Sequence, residues 1–524
     1  MNLVEEFLLK SAEKTPDKLA FGDPKTALTY EELTSRVMGF AFALSHQHQV
    51  DEERILILLP NSVDFMVCHL GVIASGNISV PCDCAIGFQS LEQILACASP
   101  KVLITTRVVH ERLHTVLTAS SIKSVLFVDG LPERNLSYSR GVFILNEILE
   151  PSLSASLIRK SNLPASIMYT TGSTALAKGV VLTHENIFAA ISEICEFVGY
   201  TPNDKEVVVL PLSHSFGLGH VYSNFYKQGF VYTENGLTRI KRVLNKIESL
   251  GATGFPGTPL GFSILMDRYG DLFAEKARSL RFSVINSAPL PPAQTAALQK
   301  LLPNLNIFVY YGLTEASRST FISLTHHGPD YYASVGKPMN NVHLEIVNEE
   351  GEPADPHEVG EVMISSPRVA SHYWENEAES QASFKQGTLR TGDLAFQDPD
   401  GFVFLVGRKK DVINIGGLKV NPKEVEEVVR SLDYVRDVAV LGLEGYGNYG
   451  EASVIAAICM KDGREVSDET LNTRCQEKLE NYKVPHRFVK LTQIPKSETG
   501  KVKRKELATI LHEKLASADL VDHG

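Results

Sequence analysis

Short apolar runs of strand length alternate with longer helical patterns through much of this chain. From Leu28 to about Thr233 the helical patterns include Leu33–Leu44, and the strand candidates are Ile55–Leu59, Val102–Thr105, Val125–Val128 and Val207–Leu210. A second series consists of Phe282–Ile285, the helical stretch Pro292–Leu302 and Ile307–Tyr311. Apolar strands separated by helices are typical of parallel sheets covered on both faces, so the pattern predicts an α/β fold with two sheet subdomains.

The pattern changes in the second half of the chain. From Tyr332 to Leu405, short strands separated by Gly, Pro and Asn turns predict a small β-rich subdomain. After the charged junction Gly407–Asp411, Asn421 can cap a helix that starts at Pro422, and Glu424 can return a hydrogen bond to the cap. The strand candidates here are Val342–Val347, Glu361–Ser365, Phe402–Val406, Ala439–Leu443 and Val454–Ile458. The last part therefore predicts a separate α+β domain.

The composition allows several domains and excludes some partners. The chain has 524 residues, 44% hydrophobic and 22% charged, which we divide into a large domain, 1–409, and a small one, 410–524. The formal net charge of −11 disfavours nonspecific binding to nucleic acid or anionic membranes, and no apolar run is long enough to span a bilayer. The seven cysteines are scattered and no secretory signal is present. Both features favour reduced thiols in a cytoplasmic protein, with disulfides as the alternative.

A polar loop between two apolar runs lies within Ser166–Gly179. Ile167–Tyr169 and Val180–Leu182 have the length of strands, and threonines, a serine, a glycine and Lys178 lie between them. Hydroxyls, unhindered backbone N–H groups and a positive charge suit the oxygens of a polyphosphate. A Ser/Thr-rich surface turn is the alternative. The loop is not a Walker A motif, because alanine and glycine flank the lysine where that motif needs glycine and a hydroxyl residue.

The segment Tyr310–Glu315 reads Tyr-Tyr-Gly-Leu-Thr-Glu and follows the strand candidate Ile307–Val309. At the carboxyl end of a strand, an aromatic pair can stack on a flat heterocycle, and Gly312 lets a backbone approach closely. Thr314 offers a hydroxyl, and Glu315 could hold Mg²⁺. A turn with core tyrosines is the alternative.

Two later segments offer further polar groups. Arg390-Thr391-Gly392-Asp393 places an aspartate at a Gly turn, where it could accept bonds from two ribose hydroxyls, although Gly-Asp turns are common. Pro495–Arg504 places Lys501 on a polar loop near the end of the chain. A solvated basic tail is the alternative for that run.

The order of these segments resembles the adenylate-forming superfamily, which contains acyl-CoA synthetases, the adenylation domains of nonribosomal peptide synthetases and firefly luciferase. The resemblance covers nearly the whole chain, and its style is that of free-standing acyl-CoA ligases. The matching segments are Leu28–Leu33, Leu59-Pro60-Asn61 through Gly76 to Pro81, the Thr/Ser/Gly/Lys loop, Tyr311-Gly312-x-Thr314-Glu315, Arg390–Asp393, Gly407-Arg408 and Pro495-Lys496-x-x-x-Gly500-Lys501. It implies that ATP converts a carboxylic acid to an acyl-adenylate with release of pyrophosphate, and that a thiol then takes the acyl group.

The resemblance implies an ATP site with Mg²⁺ at Glu315. The phosphate loop would enclose the β- and γ-phosphates, Tyr311 would stack on adenine, Thr314 would contact the α-phosphate, and Asp393 would bind the ribose with Arg408 nearby. The implied nucleotide-binding residues are Thr170, Thr171, Gly172, Ser173, Thr174, Lys178, Ser287, Ala288, Pro289, Tyr310, Tyr311, Gly312, Thr314, Asp393 and Arg408.

The resemblance also implies a mobile small domain. Lys501 would be the catalytic lysine, reaching the carboxylate and α-phosphate oxygens, and Lys410 would be the hinge about which that domain rotates between the two half-reactions. Gly416 and Gly417 would then form a slim loop beside the pantetheine tunnel of CoA. A simple hairpin turn is the alternative for the two glycines.

His214 is expected to gate the acyl pocket near the carboxylate, as in acyl- and aryl-CoA ligases, with Phe216, Gly217, Gly257 and Ser287 lining that pocket. A histidine hydrogen-bonded in the core is the alternative. The chain departs from the family pattern at Ala175 and Ala177, where Gly and Pro are usual, and at Asn414, where some relatives have a lysine. Pro211–Gly217 contains no acid to hold a substrate ammonium, which disfavours α-amino acids.

Three functions follow from this resemblance. The leading one is a carboxylic acid–CoA ligase, and the second passes the acyl group to the phosphopantetheine of a carrier protein acting in trans. The third, a nucleotide-binding regulator that has lost catalysis, is disfavoured because Glu315, Asp393 and Lys501 are all present. The acid itself is open between fatty, aryl and short-chain classes.

Overall fold

The structure is a computed structural model, and it describes residues 2–47, 50, 52–132, 136, 138–148, 164–170, 177–288, 290–415, 418–444, 453–461, 464, 466–497 and 500–521. The chain divides into two compact units. The first contains Met1–Leu344 and Ile364–Leu389, and the second contains Glu345–Met363 and Arg390–Gly524. The expected boundary at 409/410 stays a prediction, and Lys410 lies inside the second unit.

Strands and helices alternate through most of the described residues. The strands are β1 (Leu19–Gly22), β2 (Ala27–Thr29), β3 (Arg54–Leu58), β4 (Ile78–Pro81), β5 (Val102–Thr105), β6 (Ser124–Phe127), β7 (Gly141–Ile144), β8 (Ser166–Thr170), β9 (Lys178–Leu182), β10 (Lys205–Val208), β11 (Phe230–Thr233), β12 (Phe282–Ile285), β13 (Asn306–Tyr311), β14 (Thr320–Ser323), β15 (Lys337–Pro338), β16 (His343–Val347), β17 (Gly360–Ser365), β18 (Phe384–Lys385), β19 (Thr388–Gln397), β20 (Val403–Arg408), β21 (Ile413–Ile415), β22 (Leu418–Val420), β23 (Val435–Leu443), β24 (Ser453–Met460) and β25 (Arg487–Lys490). The helices are α1 (Lys10–Lys14), α2 (Tyr30–Phe42), α3 (Val63–Ala74), α4 (Phe88–Ala98), α5 (Arg107–Thr118), α6 (Leu145–Ile148), α7 (His184–Val198), α8 (Ser215–Tyr226), α9 (Ile240–Leu250), α10 (Pro259–Lys276), α11 (Pro292–Leu301), α12 (Glu377–Ser383), α13 (Pro422–Arg430), α14 (Asp468–Gln476) and α15 (Arg504–Val521).

A seven-stranded sheet has the order β7-β6-β5-β3-β4-β8-β9, with parallel neighbours except for the antiparallel pair β8–β9. Side chains of β3 alternate between two hydrophobic clusters, with Ile55 and Ile57 in one and Leu56 and Leu58 in the other. Since both faces of the strand are buried, the near-continuous apolar runs reflect a sheet covered on both sides. The predicted α/β class is confirmed.

The two series of strand candidates share a second sheet. The strands β10-β11-β1-β2 and β12-β13-β14-β15 form its two parts. Gly254 joins them, because it bridges Glu206 of β10 and Phe282 of β12 in parallel. A Cβ on Gly254 would lie 2.6 Å from Glu206 Cγ and 2.6 Å from Phe282 Cζ, so only glycine fits. No local pattern predicts this join, which places the strand candidate Val207–Leu210 in the same sheet as the second series.

Short strands follow, as predicted. β16, β17, β19 and β18 lie in that order in one sheet, β20 pairs with β19, and β18, β19 and β20 are mutually antiparallel where they pair. In the second unit, β23-β24-β25 carries α13 and α14 on one face and α15 on the other. Val425 and Leu471 belong to the first cluster, and Leu507 and Leu511 belong to the second.

The helix predicted to start at Pro422 does start there. Asn421 caps it, because its Oδ1 accepts the N–H of Lys423 at 3.0 Å. The expected return bond from Glu424 to the cap is wrong, since Glu424 Oε1 accepts from Lys483 Nζ at 2.7 Å. A charged partner from a distant segment has replaced the local amide donor.

Gly336 is required where β15 meets β14. Its φ is +91°, and a Cβ there would lie 2.0 Å from the carbonyl oxygen of Phe321. We predict that Gly336→Ala lowers the free energy of unfolding by roughly 2–4 kcal/mol, because it adds a steric clash to an unfavourable φ. Urea unfolding followed by the fluorescence of Trp374, the single tryptophan, reports on the same unit.

Gly270→Ala is the matched control for that substitution. Gly270 lies in α10, and a Cβ there meets no heavy atom within 4 Å. We expect this variant to unfold within about 1 kcal/mol of the parent chain. Equal stability of the two variants would contradict the steric explanation.

Candidate active site

Tyr310 and Tyr311 end β13 and lie on opposite faces of its sheet, because successive side chains of a strand alternate. The ring of Tyr310 stacks on Phe321 at a centroid distance of 5.2 Å and meets the ring of Phe216 edge-on at 5.8 Å. The two tyrosines therefore cannot form one stacking pair. Tyr310 occupies the core position that was the alternative for this segment, and Tyr311 stays the candidate for adenine.

The turn after β13 is closed on itself. The backbone N–H of Leu313 donates to the carbonyl of Ala316 at 3.1 Å, and the reverse bond is 3.2 Å. Thr314 and Glu315 lie between these two bonds. A Cβ on Gly312 would lie 2.4 Å from the backbone nitrogen of Arg318, so glycine is required for this close approach. The turn holds Thr314 and Glu315 together at the carboxyl end of β13.

Glu315 is anchored at its backbone and at one side-chain oxygen. Its carbonyl accepts the N–H of Ala370 at 2.8 Å, and its Oε1 accepts the hydroxyl of Tyr373 at 2.9 Å. Burial, and then the charge of Glu315, raises the pKa of Tyr373, so the phenol keeps its proton and donates. Among the described residues, Oε2 of Glu315 has no hydrogen-bond partner, which leaves that oxygen available to a ligand.

Lys178 lies beside the same tyrosine. It begins β9 opposite Thr170 of β8, so the two predicted strands are confirmed. Its ammonium pairs with Glu379 and lies 5.2 Å from the centre of the Tyr373 ring. Residues 171–176 lie outside the described residues. They include the other predicted loop residues, Thr171, Gly172, Ser173 and Thr174, and the departure from the family pattern at Ala175.

Sequence reasoning missed Tyr373 and Glu379. Tyr373 is 58 residues from Glu315, and no local pattern links the two. The available signal was a Tyr-Trp pair at 373–374 with three glutamates in the next five residues. Such a run of acids otherwise predicts only a solvated helix start.

Ser287 and Ala288 leave the sheet at the same edge as Tyr311. β12 and β13 are parallel, with Ile285 opposite Val309, so their carboxyl ends lie side by side. Ser287 has φ +81°, a conformation that non-glycine residues adopt mainly where the surrounding structure imposes it. Gly257 bridges Ile285 on the other side. Pro289 lies outside the described residues.

His214 caps the N-terminus of α8 and is exposed, so the alternative of a core histidine is wrong for this residue. The buried histidine of α8 is His220, whose Nδ1 lies 3.0 Å from Glu206 Oε1 and 3.1 Å from the hydroxyl of Tyr200. Phe216, two residues after His214, packs against Tyr310, so the first turn of α8 lies beside the end of β13.

Asp393 and Arg408 are direct cross-strand neighbours in the second unit, on β19 and β20. Arg408 Nε lies 2.7 Å from Asp393 Oδ1, and the backbone N–H of Asp393 donates to Thr391 Oγ1 at 3.0 Å. Asp393 is only 7% exposed. The structure therefore brings together the two residues expected to serve the ribose.

Lys501 is exposed on a tight turn of the second unit. Its carbonyl accepts the N–H of Ser497 at 2.8 Å, and Gly500 before it has φ +83°. Lys410 is exposed in the short helical turn Lys409–Asp411. β21 and β22 pair antiparallel with Ile415 opposite Leu418, but Gly416 and Gly417 between them lie outside the described residues.

The described residues contain no group of three or more His, Cys, Asp or Glu side chains placed to hold a metal ion. Within the same part of the chain, no helix is long and apolar enough to cross a membrane. None of the seven cysteines, all of which are described, forms a disulfide.

Comparisons with known proteins agree with this arrangement. The AMP-binding enzyme family matches residues 8–374, and the AMP-binding enzyme C-terminal domain matches residues 424–501. A long-chain-fatty-acid–CoA ligase of Bacillus subtilis is 28% identical over 530 residues, which cover 96% of this chain and 94% of that protein. An oxalate–CoA ligase of Arabidopsis thaliana is 28% identical over 510 residues, covering 96% and 97%.

The fold also matches a solved structure. The crystal structure of ATP-bound MatB from Rhodopseudomonas palustris superposes with a TM-score of 0.85 at 21% identity, over 97% of this chain and 99% of that one. With the family match over most of the chain, the chain belongs to the AMP-binding enzymes, the adenylate-forming superfamily that includes the AMP-forming acid–CoA ligases.

Proposed function

We propose that this chain uses ATP to convert a free carboxylic acid to an acyl-adenylate and transfers the acyl group to the thiol of CoA. The observation that carries the proposal is the turn at the end of β13. There Tyr311 is followed by Thr314 and by Glu315, one of whose oxygens is held by Tyr373 while the other stays available. An aromatic face, a hydroxyl and a carboxylate at a strand's carboxyl end suit a nucleotide triphosphate with its metal.

The chemistry takes two displacements. A carboxylate oxygen bonds to the α-phosphorus of ATP while the bond to pyrophosphate breaks, which turns a poor electrophile into a mixed anhydride. The thiol sulfur then bonds to the acyl carbon, its proton passes to solvent or a base, and AMP leaves. Protein groups contribute to the first step by positioning and by electrostatic stabilisation of charge on the phosphoryl oxygens.

We assign the nucleotide contacts as follows. Tyr311 stacks on adenine, the backbone at Ser287 and Ala288 borders the base, and Thr314 meets the α-phosphate. Asp393 accepts the ribose hydroxyls beside Arg408, whose Nε lies 2.7 Å from Oδ1 and whose Nη2 donates to Oδ2 at 3.5 Å. The loop that begins at Thr170 and ends at Lys178 receives the β- and γ-phosphates.

Glu315 fits Mg²⁺. The ion binds hard oxygen ligands and is usually held by one or two carboxylates together with substrate phosphates and water. Glu315 supplies such an oxygen, and the absence of a three-residue ligand cluster in the described residues agrees with a site completed by phosphate. Bound there, the ion supplies charge neutralisation at the phosphates. Tyr373 orients the carboxylate through Oε1.

Lys501 provides positive charge for the first displacement. We propose that it meets the carboxylate and α-phosphate oxygens, that rotation about Lys410 then removes it, and that Gly416 and Gly417 border the pantetheine arm in the second step. The exposure of Lys501 and Lys410 in their own unit supports these roles, because both side chains are accessible to a partner.

Acids of more than one class are compatible with the family. The relatives compared above are named for a long-chain fatty acid and for oxalate, at the same 28% identity. His214 is exposed at the start of α8, where it can meet a carboxylate as the expected gate.

The proposed function is tested by acid-dependent pyrophosphate release. Purified protein with ATP and Mg²⁺ is offered fatty, aryl and short-chain acids, with CoA or a phosphopantetheinylated carrier protein as acceptor. We expect release with at least one acid and a thioester of CoA. A thioester formed only on the carrier protein would correct the acceptor. No acid-dependent release with any acid would contradict catalysis and favour a nucleotide-binding regulator.

Lys501→Ala separates the two steps. We predict a loss of roughly 10²–10³-fold in acyl-adenylate formation, because a charge opposite the phosphoryl oxygens is removed. Thioester formation from supplied acyl-adenylate should change by less than about threefold, measured in the same protein. Lys505→Ala, an exposed lysine four residues further on, is the control and should leave both steps intact. Equal loss of both steps in Lys501→Ala would defeat the assignment.

Tyr373→Phe tests the metal assignment. Removing the hydroxyl that holds Glu315 Oε1 should raise the Mg²⁺ concentration for half-maximal adenylation by roughly 10-fold, as for other partners of metal-binding carboxylates. Tyr332→Phe is the control, since it removes a hydroxyl that donates to Gln299 Oε1 at 2.6 Å and does not contact Glu315. An unchanged Mg²⁺ titration in Tyr373→Phe would show that Glu315 does not hold the ion.

A further inference from the structure

Arg318 carries a buried positive charge with no carboxylate partner in the described part of the chain. The side chain is 2% exposed, and its Nε has no hydrogen-bond partner. Nη1 donates to Ser317 Oγ at 2.8 Å, and Nη2 makes a long bond of 3.4 Å to the carbonyl of Phe216. Among the described residues, no carboxylate lies within 4.0 Å of the guanidinium. Because arginine keeps its charge in proteins, an unpaired one in the interior is costly.

The neighbouring Arg368 shows how this fold neutralises a buried arginine elsewhere. Arg368 is 1% exposed, and its guanidinium pairs with Glu193. Its Nη1 also donates to the carbonyl of Arg318 at 2.6 Å. That bond fixes the backbone of Arg318, which has φ +58°, an outlier for a residue of this size. Glu193 is therefore taken by Arg368, and the surrounding structure imposes the position of Arg318.

Glu206, the other buried acid in this region, is already committed. Its Oε1 lies 3.0 Å from His220 Nδ1 and 3.3 Å from the hydroxyl of Tyr200, and its Oε2 accepts from the amide of Asn224. These bonds use the carboxylate for another polar cluster. Arg318 is left as the uncompensated charge.

The guanidinium lies against the start of α8. Its Nη2 donates to the carbonyl of Phe216 in the first turn, and a Cβ on Gly219 in the next turn would lie 1.8 Å from Nη2, so the side chain rests directly on the helix backbone. The N-terminal turn of a helix carries a partial positive charge, which disfavours a cation and favours an anion. The 12-residue helix and an arginine without a carboxylate partner therefore both favour an anion. Together they predict that an anion binds at this place.

We propose that Arg318 binds a second carboxylate of the substrate, so that the acid activated by this chain is a short dicarboxylic acid. The inference rests on the proposed function. His214, the expected gate for the reacting carboxylate, caps the helix on which the guanidinium rests. From His214 to Gly219 the helix rises by roughly 7 Å, which suits a short link between the two carboxylates.

The same contact excludes acids with an apolar end. A methyl group in place of the second carboxylate would leave the guanidinium buried without a partner, and sites built around a buried polar group reject analogues that lack the matching group. Gly219 contributes to this specificity, because any side chain there would displace the guanidinium.

The test compares acids of equal length with the wild-type protein. Acid-dependent pyrophosphate exchange is measured with the pairs malonate and propionate, succinate and butyrate, and glutarate and valerate. We expect the dicarboxylate of at least one pair to exceed its partner in kcat/KM by roughly 100-fold, as for buried charge pairs. Exchange with the monocarboxylates alone, or equal exchange within every pair, would overturn the inference.

Substitutions assign the preference to this side chain. Arg318→Met should lower kcat/KM for the preferred dicarboxylate by roughly 100-fold and leave or raise that for its monocarboxylate partner. Arg318→Lys, which keeps the charge, should retain part of the preference. Arg268→Met is the matched control, because Arg268 is exposed on α10 and should leave every acid unaffected. Equal loss with all acids in Arg318→Met would show a structural role and overturn the proposal.

The outcomes also separate this inference from the proposed function. If no acid of any class supports exchange, the ligase activity fails and the inference fails with it. If monocarboxylates support exchange and dicarboxylates do not, the ligase activity stands and only the role of Arg318 is overturned. The wild-type comparison decides between them even if a variant does not fold.

Discussion

The buried ion pair between Arg368 and Glu193 is the constraint on which the proposed site depends. Arg368 joins α7 to the segment that follows the turn at the end of β13, because it pairs with Glu193 and donates to the carbonyl of Arg318. Breaking a buried ion pair by removing one partner usually costs about 3–5 kcal/mol. Burial lowers the pKa of Arg368, and Glu193 opposes that shift. The segment that follows the Glu315 turn is therefore stabilised by this ion pair and its hydrogen bond as well as by packing.

Buried and partly buried polar groups in the first unit are of two kinds. Some are satisfied by the protein, such as Glu206 with His220 and Tyr200. Others keep capacity for a ligand: Oε2 of Glu315 and the guanidinium of Arg318, at the two ends of one short segment. Natural structures break local rules mainly where function requires it, so the uncompensated groups mark the site better than the satisfied ones.

Sequence reasoning found what is local or ordered along the chain. Periodicity located β12 and β13, and Asn421 followed by a proline identified a helix start. The order of the motifs identified the family. Side-chain direction was missed at Tyr310, although the alternation of a strand could have shown that it opposes Tyr311.

Long-range contacts could not be found in the same way. Gly254 joins two sheets only because it fits between Glu206 and Phe282, and Tyr373 meets Glu315 across 58 residues. The burial of Arg318 depends on α8, a hundred residues earlier in the chain. Charge balance in the interior is a property of packing, and a single sequence does not contain it.

The most direct test of the central claim is the fate of oxygen from the acid. The best acid substrate is labelled with ¹⁸O in its reacting carboxylate and turned over with ATP and CoA, and the AMP and pyrophosphate are analysed by mass spectrometry. Attack of the carboxylate on the α-phosphorus predicts one labelled oxygen in AMP and none in pyrophosphate. Unlabelled AMP, or ADP with label in phosphate, would contradict acyl-adenylate formation.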